Sequence, residues 1–76
     1  MTNYRCVVTL KNGAHKILRM TRDVVAHIVS EFRKMQKNIF NDRVTVNVGG
    51  STLLLNDVTS MRFLNEYTGE EFLTVA

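Results

Sequence analysis

Between Thr21 and Ile39 the apolar residues recur at a spacing that no other part of the chain repeats. At 100° per residue, Val24, Val25, Ile28, Val29, Phe32, Met35 and Ile39 fall within one broad stripe, the pattern of an amphipathic helix. His27, Ser30, Glu31, Arg33, Lys34 and Lys37 fall on the opposite side. Thr21 suits the N-cap, Asp23 suits a first turn where the helix dipole favours an anion, and Lys34 and Lys37 suit the last turn. The pattern closes between Asn38 and Asn41. Elsewhere the chain alternates with the period of strands. A lone amphipathic helix covers one face of a sheet, so the other face is predicted to lie bare.

Residues 4–10, YRCVVTL, place Tyr4, Cys6, Val8 and Leu10 on one side of a strand. Lys11-Asn12-Gly13 leads into a second strand, AHKILRM. Asn-Gly normally forms a two-residue turn, which would set Val8 against Ile17 and Cys6 against Arg19. A three-residue loop with Gly13 left-handed instead sets Cys6 against Leu18 and Tyr4 against Met20. That register gathers Tyr4, Cys6, Val8, Leu10, Leu18 and Met20 on one face. Burying six apolar groups outweighs a turn preference, because a one-residue slip reverses every side chain. The longer turn is predicted.

The stretch RVTVNVGGSTLLLNDVTS, residues 43–60, poses a choice between a glycine-rich recognition loop and a hairpin. A phosphate-cradling loop needs a helix or a basic residue beside its glycines. Gly50 leads instead into Ser51-Thr52-Leu53, another strand. A two-residue turn at Gly49-Gly50 sets Val46 opposite Leu53 and Val44 opposite Leu55, and glycine supplies the positive φ such turns require. It reads as a hairpin. Asn56-Asp57 makes a further turn, TSMRFLNEY reads as a fifth strand with Met61 and Phe63 inward, and Thr68-Gly69 permits a last strand in EFLTVA. The prediction is one α+β domain over residues 1–76. Its elements run ββαββ(β), with a single antiparallel sheet and the helix packed on one face.

A 76-residue chain buries only about 60–65% of its unfolded surface, which limits stability to about 5 kcal/mol. Self-association is a common remedy. Cys6 is the only cysteine and lies in a strand, where a small buried hydrophobe is expected rather than a reactive thiol. His15 beside a turn and His27 on the polar side of the helix are expected in solvent. Cys6, His15 and His27 show no paired short spacing, so no metal and no cofactor are expected. Glu70 and Glu71 are adjacent and point to opposite faces of a strand. No nucleophile, base and orienting group stand at a working spacing, and the expectation is a protein that is not an enzyme. No uninterrupted apolar run exceeds three residues, far short of a membrane span. The start MTNYRC lacks the layout of a signal peptide, which suits a reduced, cytoplasmic protein. These traits are in the style of a small accessory protein of a bacterium or phage.

Charge is uneven. Residues 1–38 hold eight Lys/Arg against Asp23 and Glu31, a net of +6, while residues 39–76 have a net of −3. Arg5, Lys16, Arg19, Arg33, Lys34 and Lys37 would form a nucleic-acid surface if they shared a side. Glu31 dilutes the helix face, no aromatic platform accompanies the basic strands, and one helix makes no helix-turn-helix. The oppositely charged halves can equally attract each other within one fold. On the sheet face away from the helix, Val7, Ile17 and Leu54 remain, with Thr9, Arg19, Thr45 and Thr52 between them. The expected function is therefore a non-enzymatic binding or regulatory module. It would act as a homo-oligomer, or on an unidentified protein partner, through that face or an edge strand. Nucleic-acid binding is the alternative, and no membrane partner is expected.

Overall fold

The computed structural model describes residues 3–38, 40 and 42–76, so the place of Ile39 in the helical stripe lies outside the described residues. The elements run β1 (Asn3–Leu10), β2 (His15–Thr21), α1 (Arg22–Lys37), β3 (Thr45–Val48) and β4 (Ser51–Leu54). A single 3-10 turn (Leu55–Asp57) then leads to β5 (Val58–Asn65) and β6 (Glu71–Val75). The α+β class, the antiparallel pairing and the single helix against the sheet are as the sequence predicts.

The first hairpin takes the three-residue loop. Cys6 pairs with Leu18 and Tyr4 with Met20. The Leu10 amide donates to the Ala14 carbonyl at 2.8 Å, and the Gly13 amide donates back to the Leu10 carbonyl at 2.9 Å. Gly13 sits at φ +88°, the left-handed conformation that lets the strands re-pair without a register slip. Cys6, Val8 and Met20 are buried as a result, with Tyr4, Leu10 and Leu18 packed partly against them.

Helix α1 begins after an extended Thr21, whose side chain makes no cap hydrogen bond, and ends with the Asn38 amide donating to the Met35 carbonyl. Val25, Ile28 and Phe32 drive into the core, while Val24, Val29 and Met35 are half-buried along its margin. That is the predicted stripe.

Four strands form the main sheet in the order β2-β1-β5-β6, and β3 and β4 form a separate two-stranded sheet. The single-sheet expectation thus describes four strands of the six, and the Gly49-Gly50 hairpin stands apart from them. Val46 pairs with Leu53 as expected, and the Leu55 amide donates to the Val44 carbonyl at 2.9 Å. Gly49 (φ +56°) and Gly50 (φ +83°) supply the two positive φ angles of a primed turn. Val46, Val48 and Leu53 join the same core as the helix and the main sheet, so the hairpin buries its apolar side by packing rather than by extending a strand ladder. Asn56 fixes its base. The Asn56 Oδ1 accepts from the Val44 amide at 2.9 Å, and its Nδ2 donates to the Asp42 carbonyl at 3.0 Å.

Candidate interaction surfaces

All buried residues of the main sheet sit on the helix side. On the reverse face, alternation places Arg19, Ile17 and His15 from β2, Arg5, Val7 and Thr9 from β1, Leu64, Arg62 and Ser60 from β5, and Thr74 from β6. None of these is buried. Across the middle runs a row in which Ile17 pairs with Val7, Val7 with Arg62, and Arg62 with Thr74. Ile17 is 65% exposed on this face. Two of the proposed contact residues, Val7 and Ile17, are therefore direct cross-strand neighbours. Leu54 is not with them, because it belongs to β4 and pairs with Thr45 in the second sheet.

Sequence spacing alone does not single out Arg62, yet with Arg5 and Arg19 it makes three guanidinium groups on this face. Two are tied down within the chain. Arg19 bridges Glu66 at 2.6 Å, and Arg62 Nε donates to Glu71 Oε1 at 2.5 Å. The Arg62 hydrogen bond, followed by one from the Thr74 hydroxyl, holds the Glu71 carboxyl below its ordinary range. The face is therefore close to locally neutral and studded with aliphatic groups.

The other basic residues lie elsewhere. Arg33, Lys34 and Lys37 are exposed on α1, across the sheet from Arg5 and Arg19, and Lys34 stands 3.6 Å from Glu31. Lys16 pairs with Val8, which puts it on the helix-facing side at the β2 edge. The six candidate nucleic-acid contacts are thus divided between two faces and an edge.

A second feature lies beside β6. Phe63 pairs with Leu73 and Leu64 with Glu71, which leaves Phe72 as an extra residue in the strand. A bulge of this kind re-aims a side chain. The Phe72 ring comes to 5.0 Å from that of Tyr4 and 6.4 Å from that of Phe63, yet Phe72 remains half-exposed. Between this strand and the N-terminal half of α1 opens a groove of about 530 Å³, lined by Tyr4, Val25, Val29, Phe72 and Leu73, with Arg22 and Glu70 also on its walls. Strict alternation would have sent Phe72 and Leu73 to opposite faces, so only coordinates reveal this groove.

No constellation for covalent chemistry accompanies these surfaces among the described residues. Cys6 is buried, and burial pushes its thiol pKa up to about 12, so a thiolate is strongly disfavoured near neutral pH. His15 Nδ1 lies 3.2 Å from the Thr9 hydroxyl on the exposed face. No group of three or more metal-ligating side chains gathers among the described residues. No helix of the described residues is long and apolar enough to cross a membrane. No protein-family model, no curated protein and no solved structure matches the chain.

Proposed function

We propose that this protein is a non-enzymatic binding module that self-associates through its uncovered sheet surface. The observation that carries this reading is the Val7–Ile17 cross-strand pair, with Ile17 65% exposed on a face where no residue is buried. An aliphatic pair in water gains free energy when a partner covers it, at about 25 cal/mol per Å² removed from solvent. A second copy brings the same aliphatic pair, so two such faces can bury each other. The ion pairs of Arg19 and Arg62 support a protein partner over a polyphosphate, because each guanidinium already has a carboxylate.

Sedimentation velocity over the micromolar range tests the reading. Wild-type chain is expected to show a concentration-dependent mass above that of the monomer, and Ile17→Asp is expected to shift it toward monomer. A wild-type protein that stays monomeric throughout, with Ile17→Asp behaving identically, removes the basis for self-association.

A further inference from the structure

Helix α1 and strand β6 set out from the same end of the main sheet. Met20 pairs with Tyr4 and Tyr4 with Asn65, and the Asn65 amide donates to the Glu70 carbonyl at 2.9 Å. One row across the sheet thus leads from the end of β2, where α1 begins, to Glu70. From that row both elements run toward the opposite end. Leu73 and Val75 of β6 pair with Phe63 and Met61, and Met35 and Gln36 in the last turns of α1 line a cleft with Lys11 and Asp57. The groove of about 530 Å³ between α1 and β6 therefore has a charged mouth and an apolar run. Arg22 and Glu70 stand at the mouth, and among the described residues neither makes an ion pair with the other or with a third group. We propose that this groove binds the zwitterion of an apolar α-amino acid, its carboxylate toward Arg22, its ammonium toward Glu70 and its side chain along the groove. The site is distinct from the bare sheet face and does not depend on self-association.

Three features converge on this ligand. First, the two walls keep pace. The stretch of helix from Arg22 to Val29 rises about 10 Å, and the extended chain from Glu70 to Leu73 covers about the same distance. Each charge is therefore followed by apolar groups at matching depth, Val25 and Val29 on one wall and Phe72 and Leu73 on the other. Second, the lining has the composition of a small-molecule site, mostly apolar and aromatic with a few polar groups to fix orientation. The bulge in β6 turns the half-exposed Phe72 ring onto the groove, where it meets Tyr4 at 5.0 Å. Third, the charges select the head group. A simple apolar acid would set its carboxylate beside Glu70, and a simple apolar amine would set its ammonium beside Arg22. An α-amino acid carries both charges on one carbon with the side chain as a third substituent, so it answers both walls at the mouth and fills the apolar run behind them. The Arg22 guanidinium is also the planar, forked donor that suits a carboxylate.

Titrating the labelled chain with L-phenylalanine at pH 7, read by amide chemical shifts in ¹H–¹⁵N NMR spectra, tests the proposal. Saturable shifts are expected at Val25, Val29, Phe72 and Leu73, with a Kd on the order of 1 mM for so small a ligand. Two analogues remove one charge each: 3-phenylpropionate lacks the ammonium and 2-phenylethylamine lacks the carboxylate. Each is expected to bind roughly fivefold more weakly than L-phenylalanine, the worth of one exposed ion pair. Arg22 and Glu70 are both exposed, so Arg22→Gln and Glu70→Gln leave the core intact. Arg22→Gln is expected to weaken L-phenylalanine and 3-phenylpropionate but not 2-phenylethylamine, and Glu70→Gln to weaken L-phenylalanine and 2-phenylethylamine but not 3-phenylpropionate. Absence of saturable shifts at those four amides up to about 20 mM ligand overturns the site. If all three ligands bind alike, or if neither variant changes their order, the apolar walls act alone and the assignment to a zwitterion is overturned.

Discussion

Cys6 lies directly opposite Phe63 across the β1–β5 ladder, and neither residue has any exposed surface. Burial is why the lone thiol is inert. The sulfur lies within the apolar core, and burial pushes its pKa from 9.0 up to about 12. A group whose folded-state pKa is raised favours the folded state in its protonated form. Its contribution is complete below pH 9 and is lost as pH climbs toward 12. The slope in that window is about 1.4 kcal/mol per pH unit. The expected outcome is a fall in unfolding free energy between pH 9 and 12 that is shallower in Cys6→Ala than in wild type, read by urea titration at each pH. In the native protein at pH 8, a thiol reagent is expected to react only on the timescale of unfolding.

Gly13 sets the register of the whole first hairpin. Its φ of +88° costs an L-residue free energy, while a Cβ there would meet nothing within 4 Å. Gly13→Ala therefore isolates the backbone cost from any clash. A loss of about 1–2 kcal/mol is expected, with an unchanged denaturant slope and no new contacts to repack. On a chain with about 5 kcal/mol in total, that lowers the melting temperature by several degrees. An unaltered urea midpoint would mean that the turn is not strained by a side chain.

The first hairpin and the helix are legible in the sequence because many residues agree on one answer. Tyr4, Cys6, Val8, Leu10, Leu18 and Met20 share a face only in the three-residue register, and that outweighs the usual Asn-Gly turn. The Val46–Leu53 pairing is legible for the same reason. The features that escape the sequence depend on contacts between distant residues. The separation of β3 and β4 from the main sheet comes from Val46, Val48 and Leu53 packing into a core that the rest of the chain supplies. Grouping Leu54 with Val7 and Ile17 presupposes one sheet, and that grouping dissolves with the second sheet. The Arg19–Glu66 pair joins residues far apart in the chain, and Arg62–Glu71 depends on the bulged β5–β6 register, so alternation alone reveals neither. The bulge at Phe72 breaks the alternation by one residue, and no glycine or proline within β6 announces it.

Asn56 holds the link between α1 and the second hairpin with both ends of one amide. Its carbonyl oxygen accepts from Val44 and its NH₂ donates to Asp42, and the first of these bonds is partly buried. Asn56→Ala removes both and leaves a partly buried amide unpaired. The expected cost is about 1–3 kcal/mol. Hydrogen exchange gives the discriminating readout: the Val44 amide should lose protection more than the Leu10 amide, which is held independently by Ala14. Uniform loss across both would signal a global effect rather than a local clamp.

The division of the basic residues between faces limits what a nucleic acid can engage at once. The helix offers Arg33, Lys34 and Lys37, and the reverse sheet face offers Arg5 and Arg19, the latter already bridged to Glu66. Three neutralised phosphates release counterions with a logarithmic salt slope of about −2.7, whereas all six residues acting together would give about −5.4. Titrating a labelled double-stranded oligonucleotide by fluorescence anisotropy at several salt concentrations measures that slope directly. Binding weak enough to vanish by about 150 mM salt, with a slope no steeper than about −2.7, is expected for a protein with at most three of these basic groups on any one surface. A slope near −5.4 would require the two faces to act jointly, as they could only if several copies surrounded the duplex. Repeating the titration with Lys16→Glu then separates the cases, since one helix face acting alone does not use Lys16, and its slope should remain unchanged.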